Sequence, residues 1–123
     1  MEIGISVPDT QVFVQTYTEN EIILNTNTYH NSIVISPNKI IDDHWACNDI
    51  KSLTKDQLIE LFKTSADVYL IGTGKNQLFP DMKIYQFCQL QNKAVDFMNS
   101  NAACRTFNML ASEGRSIVAA III

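Results

Sequence analysis

Basic residues are scarce in this chain. Nine lysines and arginines are scattered over 123 residues without forming a run, and the first arginine is Arg105. A protein that tracks nucleic-acid phosphates presents a basic stripe or patch. DNA and RNA binding are therefore disfavoured, as is attachment to an anionic membrane surface. Long apolar runs are missing too. The longest, Ile117 to Ile123, falls far short of the roughly 20 residues of a membrane helix, so stable membrane insertion is not expected. The three cysteines, Cys47, Cys88 and Cys104, are odd in number, widely spaced and without a C-x-x-C pair. A disulfide scaffold needs an even and denser set, so reduced, buried thiols in a cytosol-like compartment are expected. The opening MEIGISVPDTQVFVQ has no basic segment followed by a continuous apolar one, and no Arg-rich presequence precedes the body. The expected location is cytoplasmic.

What is present suffices for a core. Apolar residues make up 46% of the chain and charged residues 18%, with a net charge of −4. One domain spanning residues 1–123 is expected, soluble at neutral pH and too apolar to be disordered.

The first third reads as short antiparallel strands: Gln11–Tyr17, Glu21–Leu24 and Ser32–Ile35, with Ile40-Ile41 as a further candidate. Glu19-Asn20 and Asn25-Thr26-Asn27 have turn composition. A helix follows from about Lys55 to Thr64, opened by a Thr54/Gln57 capping box and a Leu53/Leu58 staple. Asp67–Ile71 predicts a buried strand ended by Gly72-Thr73-Gly74. Pro80-Asp81 opens a second helix with Ile84, Phe87 and Cys88 on one face, and Asn92 is its left-handed stop. Lys93–Met98 is the next strand. The third helix has Ser100 as predicted N-cap and Gly114 as its stop. Its polar stripe is Asn101, Arg105, Asn108 and Ser112, opposite Ala103, Phe107, Leu110 and Ala111. Ser116–Ile123 has almost no polar residue, so it should be a central strand covered on both faces. The fold class is thus mixed α/β: an antiparallel β-rich front half, then β-α-β-α-β with a mixed sheet and about three helices.

Several constellations bear on chemistry. Gly72-Thr73-Gly74-Lys75 follows a strand, where backbone amides can meet an anion. As a P-loop it fails, because Tyr69 stands at the first glycine position and Asn76 replaces the final hydroxyl residue. Gln77 likewise breaks the dinucleotide pattern. A structural turn and an anion site both remain open. The Arg105, Asn108 and Ser112 stripe is either a solvated face or a contact surface. Glu113 and Arg115 suggest an ion pair around Gly114. Asp42, Asp43, His44 and Cys47 are the one cluster with metal-ligand chemistry, but no second histidine or cysteine pair completes a recognised spacing, so no metal is expected. Cys104 lies near a helix start yet beside the apolar face, favouring packing over nucleophilic chemistry. Trp45 is a core residue or a partner anchor. No catalytic constellation or cofactor motif emerges.

The stretch from Met98 to Arg115 resembles the signature helix of a small α/β domain family that includes mitochondrial respiratory complex I assembly factor 3 and prokaryotic homologues. Ser36-Pro37, Trp45, the Leu70-Ile71-Gly72-Thr73-Gly74 turn and the apolar C-terminal strand match as well, from about Val12 to Ile121. Asn92 stands where the family usually has glycine, and Asp96 where glutamate is common. The resemblance implies a mixed α/β fold with a β-rich front half. It also implies a non-enzymatic link to respiratory-complex assembly in the mitochondrial relatives and no settled biochemistry in the prokaryotic ones; the opening without an Arg-rich segment makes a prokaryotic member the expectation.

The leading functional expectation is a non-catalytic protein-interaction or assembly-factor-like domain, bound to a protein partner, with a respiratory-complex subunit as the candidate. The alternative is a small-molecule or anion-binding protein, or an unrecognised enzyme, that uses Gly72, Thr73 and Gly74 with Arg105 and Asn108. Ser112 and Trp45 complete the candidate contact residues. A third alternative is a homo-oligomer joined through exposed β edges or the Trp45 region.

Overall fold

The computed structural model describes residues 11–123, and the reading of the first ten residues lies outside them. A five-stranded mixed sheet organises the fold. Its strands are β4 (Ile33–Ile35), β5 (Ile40–Asp42), β6 (Val68–Gly72), β7 (Val95–Met98) and β8 (Ile117–Ile121), in the spatial order β5-β4-β8-β6-β7. The β8–β6–β7 pairs are parallel and the β8–β4–β5 pairs antiparallel. The apolar sequence of β8 explains its central place, since all five of its residues are buried. Period-two alternation sends Ile117, Ala119 and Ile121 to one core and Val118, Ala120 and Ile122 to the other.

The first core lies beneath α1 (Lys55–Phe62) and α2 (Met82–Leu90) and contains Trp45, Leu58, Leu61, Ile84 and Phe97. Thr54 and Gln57 form the predicted capping box at α1, and both staple leucines join this core. The second core lies beneath α3 (Ser100–Ser112) and a three-stranded antiparallel sheet of β1 (Val14–Tyr17), β2 (Ile22–Leu24) and β3 (Asn27–Tyr29). Phe107, Ile22 and Ile33 are wholly buried there, each contributing roughly 1.5–3 kcal/mol of transfer free energy. Gly114, at φ +77°, ends α3 in a Schellman turn. Its amide donates to Ala111 O, and the Arg115 amide to Leu110 O.

Three expectations need correction. The antiparallel strands of the front half do not form one sheet, because β4 pairs with β8 and β5. A third meander strand, β3, occupies Asn27–Tyr29, and only Asn25 and Thr26 form the turn. Asn25 supplies the positive φ (54°) that a two-residue hairpin loop requires. The N-cap of α3 is Asn99, whose side chain accepts from the Ala102 amide, and Ser100 is the first helical residue.

Asn92 sits at φ +56°, as its position after α2 predicts. Replacement by alanine, which lacks the local side-chain hydrogen bonding of asparagine, should cost about 1 kcal/mol. Replacement by glycine should leave stability unchanged or slightly higher. Urea midpoints at constant slope check both, and an alanine variant as stable as the parent would count against a strained conformation.

Candidate functional site

The glycine turn is held by a compact hydrogen-bond knot. The Thr73 amide donates to Met98 O at 2.8 Å, and the Gly74 amide donates to Ser100 Oγ at 2.8 Å. The Ser100 amide returns to Gly74 O at 2.8 Å, while its hydroxyl donates to Ile122 O at 2.5 Å. Ile122 in turn donates to Gly72 O. A Cβ on Gly72 would stand 2.9 Å from Ser100 Cα and 2.7 Å from Ser100 Oγ, so only glycine fits there. Gly74 adopts φ +98°. The Thr73 and Gly74 amides are thus committed to the protein itself.

Thr73 is buried and shapes the loop between β6 and α2. Its hydroxyl donates to Asn76 O at 2.5 Å and accepts from the Leu78 amide at 3.1 Å. Lys51 Nζ binds Phe79 O at 3.0 Å, and Gln77 Nε2 binds Phe97 O at 3.2 Å. Several backbone and polar groups of this loop are thus tied to the protein, while its apolar side chains Leu78 and Phe79 are exposed. Phe79 is 57% exposed, and Leu78 is exposed beside it in sequence. Met82 (66% exposed) and Tyr85 continue the apolar surface one helical turn apart on α2, while Ile84 and Cys88 supply its buried side. Among the described residues, four of the seven exposed large hydrophobics fall within residues 78–85. Only the joint presence of Leu78, Phe79 and Met82 in a short segment hints at this surface in the sequence.

The α3 stripe divides by role. Arg105, Asn101 and Ser112 are exposed. The side chain of Asn108 instead pairs with β1, accepting from the Val14 amide at 2.9 Å and donating to Val14 O at 2.8 Å. It acts as one rung of a neighbouring strand. Arg105 and Asn108 share a shallow concavity with Phe13–Tyr17, and Gly72–Gly74 do not line it. The Ser112 hydroxyl donates to Met109 O within its own helix.

Trp45 is 6% exposed, packs in the first core and donates its amide to Ser32 O. One side of it forms the floor of a 300 Å³ cleft with Val34, Ile41 and Leu61. His44 contacts Asp43 at 3.3 Å on the surface, but Cys47 is wholly buried with its Sγ toward Asp49 O. No group of three or more metal-ligating side chains comes together among the described residues. Glu113 and Arg115 are both exposed, and no ion pair joins them among the described residues.

All three cysteines are free and buried. Desolvation raises the pKa of each, that of Cys104 to about 12 against the opposing charge of Arg105. A thiol so disposed is a packing group, not a nucleophile. Burial also raises the Tyr17 phenol. Ser100 lies beside it, but the serine hydroxyl is committed to Gly74 and Ile122, leaving the Tyr17 hydroxyl without a partner among the described residues.

A family model described as "Protein of unknown function (DUF498/DUF598)" matches residues 14–122. The chain is 34% identical over 111 residues to the 13 kDa major membrane protein of Francisella tularensis subsp. holarctica (strain LVS), covering 90% of each. It is 26% identical over 113 residues to NADH dehydrogenase (ubiquinone) 1 alpha subcomplex assembly factor 3 of Xenopus tropicalis, covering 90% of this chain and 61% of that protein. The NMR structure of a Xanthomonas campestris protein superimposes with a TM-score of 0.82 at 26% identity, covering all of this chain and 92% of that one. No helix among the described residues is long and apolar enough to cross a membrane.

This geometry makes two outcomes expected. Asn108→Ala should lower stability by about 1–3 kcal/mol by stranding both Val14 backbone groups, whereas Arg105→Ala should stay within about 0.5 kcal/mol. Chemical denaturation separates them, and equal effects would remove the strand-like role of Asn108. The Cys104 thiol stays protonated in the folded state while its unfolded counterpart ionises near pH 9. Its contribution is complete below pH 9 and is lost as pH rises toward 12, at up to roughly 1.4 kcal/mol per pH unit. Urea midpoints between pH 7 and 10.5 should fall less steeply in Cys104→Ala; an unchanged slope would show that another group causes the loss.

Proposed function

The chain belongs to the DUF498/DUF598 family, and from that membership we propose that it is a non-catalytic, assembly-factor-like domain that docks on a protein subunit of a respiratory membrane complex. The likeness to complex I assembly factor 3 over 90% of this chain supports the assembly role. The observation that carries the docking reading is the exposed apolar surface of Leu78, Phe79, Met82 and Tyr85. Exposed apolar side chains concentrated in one short segment mark an interaction surface more often than a solvated one. Aromatic and methionine side chains are also enriched at interface cores. Three buried, unpaired thiols favour a reducing compartment such as the cytoplasm, from which the domain would meet the cytoplasmic side of its complex.

Among the residues singled out in the sequence, Gly72, Thr73 and Gly74 serve this reading by shaping the loop that presents Leu78 and Phe79. Trp45 and Asn108 serve it as scaffold. Arg105 and Ser112, both exposed, are candidates for the rim of a second contact along α3.

In crosslinked affinity purification from the native organism, the parent protein should recover a respiratory-complex subunit reproducibly. Phe79→Ser combined with Met82→Ser should lower that recovery by about tenfold or more, as loss of a hot-spot pair does, with the far-ultraviolet circular dichroism unchanged. Equal recovery by the double variant, or binding to protein-free lipid vesicles in place of a subunit, would overturn the reading.

A further inference from the structure

At the opposite end of the sheet lies a cavity of about 600 Å³, between the β4–β5 turn, the end of α1 and the α3–β8 turn. That volume is in the range of small-molecule sites. Lys39 and Arg115 both line it, and no carboxylate does among the described residues. This one-sidedness is unusual in a chain of net charge −4. Five of the seven other cations are occupied: Lys63 pairs with Glu60, Lys75 with Glu19, Lys51 holds Phe79 O, and Lys55 and Lys93 cover aromatic rings; Lys83 and Arg105 stand apart, each outside this cavity. Lys39 and Arg115 have no ion-pair partner among the described residues.

The walls are preorganised. The Ser36 amide donates to Lys39 O and the Val12 amide to Pro37 O, both at 2.9 Å, which fixes the β4–β5 turn. The Schellman turn fixes the Arg115 backbone through Leu110 O at 3.0 Å, and the Asp67 amide ties Ser116 O at 3.0 Å. Asn38, Ser65 and Ser116 add exposed polar side chains to the lining. The ends of α1 and α3 also reach this rim, each with about half a negative charge. Two full cations outweigh them and leave the cavity net positive. Arginine with a nearby lysine suits a phosphoryl group, whose oxygens accept a guanidinium fork and a point charge together.

We propose that this cavity binds a small phosphorylated molecule, with Lys39 and Arg115 as the groups that hold its phosphoryl oxygens. The site is independent of the apolar docking surface, and either can fail without the other.

Inorganic pyrophosphate titrated into isotope-labelled full-length protein, at ionic strength held constant with sodium chloride, should shift the amides of residues 36–39 and 114–117 saturably. Lys39→Gln and Arg115→Gln should each weaken binding about tenfold, and the double variant should abolish it. Lys83→Gln removes an equal charge outside the cavity and should bind as the parent does. Three results would each overturn the proposal: no saturable shift up to roughly 10 mM pyrophosphate, equal shifts with chloride alone, or shifts that persist in the double variant.

Discussion

The Ser100 hydroxyl receives the Gly74 amide and donates to Ile122 O, in a space from which water is excluded. Those two bonds tie together the turn after β6, the end of β8 and the first residue of α3. Both partners are buried backbone groups, which would be costly to leave unpaired. The rest of the architecture follows from satisfying them. Ser100 must approach the β6 backbone closely, so position 72 must be glycine. With Ser100 committed inward, the capping oxygen for α3 has to come from the residue before it, and Asn99 supplies it. Once α3 is anchored there, its apolar face covers Ile117, Ala119 and Ile121, and Asn108 meets the backbone of β1. The two sheets are therefore joined through one helix whose position is fixed at its start.

Much of this was legible in the sequence because local and global signals agree there. β8 is apolar at every position and is central; Thr54 and Gln57 cap α1 as their spacing demands; Asn92 and Gly114 both take positive φ. The failures arise where a side chain serves a distant partner. Ser100 looks like an N-cap by residue type, but its oxygen accepts from the Gly74 amide and its proton goes to Ile122 O, and no local rule weighs those bonds. Asn108 belongs to a polar stripe by angle, yet its amide is one of the contacts holding β1, far away in sequence. Strand β3 is polar and half-exposed at a sheet edge, so it lacks the alternation that reveals strands. Trp45 could have faced either way, and the core claimed it.

The same distinction organises the functional surfaces. At the glycine turn the Thr73 and Gly74 amides are consumed by structure, and the Thr73 hydroxyl ties down the loop that carries Leu78 and Phe79. At the other end of the parallel strands the backbone is equally tied down, but two cationic side chains have no counter-charge among the described residues. The proposed apolar and cationic surfaces are thus separated by the length of the sheet.

The central place of β8 also dictates the order in which this protein can become a protein. Ile121 lies opposite Ile33 on one side and Gly72 on the other. The strand that joins the two halves of the sheet is synthesised after everything it joins. Until it emerges from the ribosome, β4 and β6 have no neighbour between them, and Ser100 has no carbonyl to receive its proton. Helices α1 and α2 can form early, but they have only half a sheet to rest on. Folding of the sheet therefore waits on β8, with long-range pairings that close slowly. A nascent chain stalled before residue 117 would display apolar strands with unpaired edges, a form suited to chaperones or proteases and not to any partner.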